Sequence, residues 1–213
     1  MSVLSGLDWS EVRAHYDERV GVHKELLNLL KSGPTDRFAK LLLGISDPNG
    51  NYSAAEHGLG PKILSSNRNA PPRVADLAAR FRLVSKAREV PPLIHAADLS
   101  YLAIGVGSEA SCMMNPKVCW VANTRSIWTH LVIKHADDVE KANEELKLYR
   151  DTNPSSEMAY AIWTEIHRLL ETSMTRVAED GARLAARDGV KAGVITFLWA
   201  DAISSALYAQ YHG

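Results

Sequence analysis

Residues 8–34 read DWSEVRAHYDERVGVHKELLNLLKSGP. Asp8 and, three residues on, Glu11 have the spacing of a capping box, in which side chains satisfy N–H groups that the first helical turn leaves open. Trp9, Val12, Tyr16, Val20, Leu27 and Leu30 then recur at roughly the spacing of one helix face. Gly33-Pro34 ends the run. The stretch predicts a long amphipathic helix, and the rest of the chain reads in the same period.

A second helix is expected from about Thr35 to Ile45, with Phe38, Leu41, Leu42 and Ile45 inward. Residues 47–71 break the pattern. Pro48, Asn49, Gly50, Asn51, Gly58, Gly60, Pro61, Asn67 and Asn69 are turn and breaker residues, so a long loop is expected there, of the kind that carries function or reaches onto a neighbour. Pro71-Pro72 suit a first helical turn, followed by the stripe Val74, Leu77, Ala78, Phe81 and Val84. Beyond Pro91-Pro92 a helix is expected over about 93–104, interrupted by Gly105-Val106-Gly107 and continued from Ser108 to Met114. Residues 117–134 are rich in β-branched side chains but read better as helix. Further helices are expected over 137–150, from Asn153-Pro154 to Arg187, and over 194–211.

Seven or eight helices without a strand pattern predict an all-α protein, an irregular helical bundle. The expected organisation is an N-terminal helical hairpin or arm (1–46), the long loop (47–71) and a main helical body (72–213). A chain of 213 residues, 46% hydrophobic and 23% charged, has the composition of a globular protein rather than a disordered one. No apolar run approaches the roughly 20 residues that cross a bilayer, and residues 1–17 lack the basic start and apolar run of a secretory signal. Cys112 and Cys119 make no disulfide framework and are expected to be reduced and packed. A cytoplasmic location, or assembly in a cytoplasm, is expected, with no membrane partner.

Charge carries the functional lead. The net charge is −1, yet residues 62–88 hold Lys62, Arg68, Arg73, Arg80, Arg82, Lys86 and Arg88 against Asp76 alone, a net +6. On a helical wheel Arg73 and Arg80 flank one side of the apolar stripe and Arg82 and Lys86 the other, an arrangement suited to a phosphate backbone crossing a packed helix. The competing expectation is that these cations pair with Asp137, Asp138, Glu140, Glu144 and Glu145. No aromatic residues interleave with them in sequence, so sequence-independent binding is expected.

Other motifs are thinner. Arg125 and His130 have the minimal arginine, four residues, histidine spacing of the HEPN-type ribonucleases, and resemble them in lying in a helical chain. The resemblance implies a dimer in which imidazole and guanidinium act on RNA. The asparagine usual after the arginine is Ser126 here, and Arg88 and His95, seven positions apart, make a second arginine–histidine pair if the spacing is relaxed to five to seven. No metal set is expected: His130 and His135 fall on different helix faces, as do Glu165 and His167, and Glu11 with His15 is a lone pair. Gly105-Val106-Gly107-Ser108 lacks the preceding strand and third glycine of a dinucleotide fingerprint. Ser108, Ser111 and Cys112 are nucleophiles without a tuned base nearby in sequence. Trp120, Trp128, Trp163 and Trp199, with Tyr149, Tyr160, Tyr208 and Tyr211, are expected in the core, some at a subunit contact.

The leading expectation is therefore a non-enzymatic, self-associating helical protein that binds nucleic acid, single-stranded RNA first, through the phosphates. It would work like a coat or nucleocapsid subunit, with Arg68, Arg73, Arg80, Arg82 and Lys86 as contacts and no cofactor. The alternatives are a dimeric HEPN-like ribonuclease using Arg125 and His130, and a helical protein–protein adaptor whose cations are paired with carboxylates.

Overall fold

The structure is a computed structural model that describes residues 3–150 and 157–212. Among these it is all-α, with eleven α-helices, three short 3-10 turns and no strand. The helices are α1 (Trp9–Ser32), α2 (Thr35–Leu42), α3 (Tyr52–Glu56), α4 (Leu59–Ser66), α5 (Ala70–Phe81), α6 (Val90–Ala97), α7 (Ile104–Met114), α8 (Thr124–Lys134), α9 (Val139–Arg150), α10 (Glu157–Arg187) and α11 (Thr196–His212). The expected start of the long helix at Asn153-Pro154, and the side chain of Met158, lie outside the described residues.

Contacts divide the chain into two compact units, Met1–Asp17 with Thr124–Gly213, and Glu18–Asn123. The division falls inside α1, so it coincides with neither of the boundaries expected at 46 and 71. In the first unit α8, α10 and α11 pack on one another and α9 packs on α8. Its core is aromatic: the Trp9 and Trp199 rings lie 6.1 Å apart, and Tyr16 meets Trp199 edge-on at 5.7 Å. The buried Tyr16 hydroxyl accepts the N–H groups of Val194 and Ile195, both at 3.1 Å, at the entry to α11. Asp8 caps α1 as expected, its Oδ1 accepting the Ser10 and Glu11 N–H groups at 2.8 and 3.2 Å.

In the second unit the inner face of α1 departs from the apolar periodicity. Arg19, Val22, Leu26 and Leu29 are buried, while Val20, Leu27 and Leu30 are only half-buried. Arg19 takes an inner position because its Nη1 donates to the Asn49 carbonyl at 2.7 Å, which offsets the cost of burying it. Ile45, expected inward, is exposed beyond the end of α2.

The stretch 47–71, expected as a long loop, is instead a 3-10 turn (Pro48–Gly50) followed by α3 and α4. Side chains from distant sequence account for this. Asn51 accepts the Ala54 N–H at 3.1 Å as the cap of α3, and its Nδ2 donates to the Val106 carbonyl of α7 at 2.8 Å. The buried Glu109 of α7 accepts from the Ser53 N–H and hydroxyl, both at 3.2 Å, and from Asn123 at 2.6 Å. Asn51, a breaker residue in sequence, thus caps α3, and both it and Ser53 are tied to α7.

Gly105 and Gly107 do not interrupt α7, which runs unbroken from Ile104. A Cβ on Gly107 would come within 2.5 Å of Ile94 Cδ1, so the glycine permits the close packing of α6 on α7 rather than a break.

Candidate nucleic-acid interface

The basic segment lies wholly in the second unit. Its thirteen Lys and Arg stand against nine Asp and Glu, a net +4, while the first unit carries −5. In α5, Val74, Ala75, Leu77, Ala78 and Phe81 are buried, which leaves Asp76 and Arg80 outward. Arg68 is exposed in the turn before the helix.

The helix is shorter than its apolar stripe suggests. Asn115, beyond the end of α7, donates Nδ2 to the carbonyls of Phe81 (3.2 Å) and Val84 (3.1 Å), and so occupies acceptors that a continued helix would use. Arg82 therefore becomes the C-cap of α5, and Lys86 precedes the 3-10 turn Ala87–Glu89. The expected pair of basic edges on one helix is replaced by two arginines on α5 and two cations on the connection after it. Both Arg82 and Lys86 are exposed.

Arg73 differs from the others. It is half-buried, and its Nη2 donates to the carbonyls of Ala97 (2.8 Å) and Asp98 (2.9 Å), where it holds the C-terminal turn of α6. Among the described residues no ion pair involves Arg68, Arg80, Arg82 or Lys86. Three of the five carboxylates expected as their alternative partners are paired with other cations. Asp138 pairs with Lys141 at 3.0 Å, Glu144 with Lys147 at 2.6 Å, and Glu145 with both Lys134 (2.6 Å) and His135 (2.7 Å). Against the opposing effect of partial burial, the hydrogen bonds from Lys134 and His135 and the Lys134 charge hold the Glu145 carboxyl below its usual range.

Folding brings one further residue to this region. The helix expected over 93–104 stops at Ala97, where Asp98 adopts a left-handed φ of 47°. The turn that follows has Leu99 and Leu102 buried and Tyr101 outward, 53% exposed. Tyr101 has a φ of 67°, a conformation that costs an L-residue with a Cβ about 1–2 kcal/mol. The turn is tied to the basic segment twice, by Arg73 and by Asn67, whose side chain accepts the Ser100 N–H at 2.9 Å and donates to the Ser100 carbonyl at 3.2 Å. Nothing local in the sequence announces this, because an aromatic residue is among the least expected at positive φ.

Arg125 and His130 both lie on α8 and are both half-buried. Five residues apart, they project about 140° from each other around the helix. His130 Nδ1 is 2.7 Å from the Ser173 hydroxyl of α10, and burial, with Lys134 and His135 adding to it, lowers its pKa. Ser108 and Ser111 are buried and occupied: Ser108 Oγ donates to the Gly105 carbonyl (3.1 Å) and accepts the Ala122 N–H (2.8 Å), while Ser111 Oγ donates to the Ser108 carbonyl (2.8 Å). Cys112 and Cys119 are buried and form no disulfide, and burial pushes Cys119 up to about 12. The Gly107 N–H is taken by the Ala103 carbonyl at 2.8 Å. Among the described residues no group of three or more His, Cys, Asp and Glu is placed to hold a metal ion, and no helix is long and apolar enough to cross a membrane.

Comparison with protein-family models, with curated proteins and with solved structures finds no match to this chain.

Proposed function

We propose that this is a non-enzymatic, self-associating helical protein that binds nucleic acid through its phosphates, in the manner of a coat or nucleocapsid subunit. The observation that carries the reading is the set of exposed cations Arg68, Arg80, Arg82 and Lys86. They gather in one unit and have no carboxylate partner among the described residues. Basic residues neutralised by carboxylates of their own unit would be paired there, and among the described residues these are not. Cations left open in this way supply the sequence-independent, counterion-releasing part of nucleic-acid binding. Arg73 contributes by holding the turn after α6 and joins the phosphate contacts through its remaining donors. Self-association would use apolar side chains that the first unit leaves exposed, Leu148 and Val194 among them.

The test is the affinity of the full chain for a fluorescently labelled single-stranded RNA across a salt series. Binding at low salt that weakens linearly on a log–log plot supports the reading. No binding at low salt, or an affinity indifferent to salt, removes it. Light scattering on the same samples reads the oligomer, and a monomer at all concentrations removes the self-associating part. RNA cleavage by the wild type that is lost in His130→Ala would transfer the function to the ribonuclease reading.

A further inference from the structure

We infer that Tyr101 is a base-stacking platform at the Arg68 end of the basic segment, and that it makes the site select unpaired nucleotides over duplex. This rests on the phosphate-binding reading above and adds to it a residue and a strand preference. A tyrosine at this position is unfavourable on two counts. More than half of it is exposed, and its backbone sits at a φ of 67°, where glycine or asparagine is accommodated with less strain. Its flanking residues are fixed: Leu99 and Leu102 are buried, and the Leu102 N–H donates to the Leu99 carbonyl at 3.0 Å. The ring is thereby turned out of the core.

What holds the turn is the basic segment itself. Asn67 bonds both backbone groups of Ser100, and Arg73 bonds the carbonyls of Ala97 and Asp98. Arg68 and Tyr101 each lie one residue from the Asn67–Ser100 bridge, so an exposed cation and an exposed aromatic ring are carried on two turns that this bridge joins. This is the pairing that single-strand binders use, a cation for the phosphate and a ring for the base, and it is indifferent to base identity because every base has a π face. A ring on a clamped turn, with two rotatable side-chain bonds, also loses little entropy when it is covered. In a duplex each base is already stacked on its neighbours, and only the phosphates remain to be gripped.

The experiment measures binding of a short labelled single strand of uridine, and of a labelled duplex of matched length, to the full chain and to the variants Tyr101→Phe and Tyr101→Leu across a salt series. Tyr101→Phe should keep the wild-type affinity for the single strand. Tyr101→Leu should lose about tenfold with an unchanged salt slope, because no phosphate contact is removed, and its duplex affinity should not change. Equal single-strand affinity of Tyr101→Leu and wild type, with a normal salt dependence, overturns the stacking role alone. An equal loss on single strand and duplex assigns Tyr101 to the shape of the turn and likewise overturns it. Absence of any low-salt binding by the wild type removes the phosphate-binding reading and this one together.

Discussion

The carboxamide of Asn67 grips the backbone of Ser100 from both sides, accepting its N–H at 2.9 Å and donating to its carbonyl at 3.2 Å. Replacing Asn67 with alanine removes both bonds, and with them the bond to the Ile63 carbonyl at 2.8 Å. At the usual net worth of a protein hydrogen bond, the loss should be about 1–3 kcal/mol. Urea unfolding should show a lower midpoint, and exchange of the Leu102 amide should quicken. An unchanged midpoint and unchanged exchange would show that the turn stands without Asn67.

The basic residues should separate by role. Arg80→Gln and Arg82→Gln should each reduce the salt slope for single-stranded RNA by about 0.7 if one phosphate contact is lost. Stability should stay within about 0.5 kcal/mol, since both side chains are exposed. Arg73→Gln should lower affinity and thermal stability together, because its guanidinium also holds the end of α6. Equal behaviour of Arg73→Gln and Arg80→Gln in melting would contradict the geometry.

Gly107→Ala should cost about 1–3 kcal/mol by overpacking against Ile94. Ile94→Ala should be destabilising on its own, yet the double variant should be more stable than the two losses added together. Strict additivity in a denaturation cycle would mean that the residues do not touch in solution.

Acid should weaken the fold through His167. Burial pushes this imidazole down to about 4, while an unfolded chain binds the proton near the ordinary value of about 6.5. Between those two pH values the unfolded state holds the extra proton, so stability falls as pH falls. The contribution is fully present above about pH 6.5, and its loss reaches about 3 kcal/mol below pH 4. His130, lowered by burial as well, adds a loss of the same sign. His167→Leu should flatten the pH dependence measured by urea unfolding, and an unchanged profile would remove His167 as its source.

Neither cysteine should react with an aromatic disulfide at pH 8 while the chain is folded. Both thiols are buried, and Cys119 is pushed up to about 12, so little nucleophilic thiolate forms. Two thiols should titrate once denaturant is added. Rapid reaction of either in the native protein would contradict the burial of Cys112 on α7 and of Cys119 after it.

Much of this was legible from local chemistry. The all-α class follows from three-to-four-residue spacing, and α1 and α11 lie within two residues of their expected ends. Asp8 performs the capping task that its position before Trp9 implies, because a cap acts over only two or three residues. The cluster of cations at 62–88 is a matter of composition and needed no fold to be seen.

Other features depend on partners far along the chain. Residues 47–71 look like a loop because proline, glycine and asparagine punctuate them. They fold as short helices because Asn51 and Glu109 reach between that stretch and α7. The C-terminus of α5 is set by Asn115, some thirty residues on, so the sequence extended its helix past Phe81. Arg19 sits inside because of the Asn49 carbonyl, which no hydropathy pattern records.

By itself, then, the sequence determined the helical class, the main helices and the segregation of charge, since spacing, capping and composition are properties of neighbouring residues. Tertiary structure alone decided where helices stop, that Arg73 holds a turn while Arg80 stays open, and that Tyr101 stands outward on a turn bonded to Asn67. The reason is that hydrogen bonds between side chains and distant backbone, such as Asn67 to Ser100, exist only once folding has brought their two ends together.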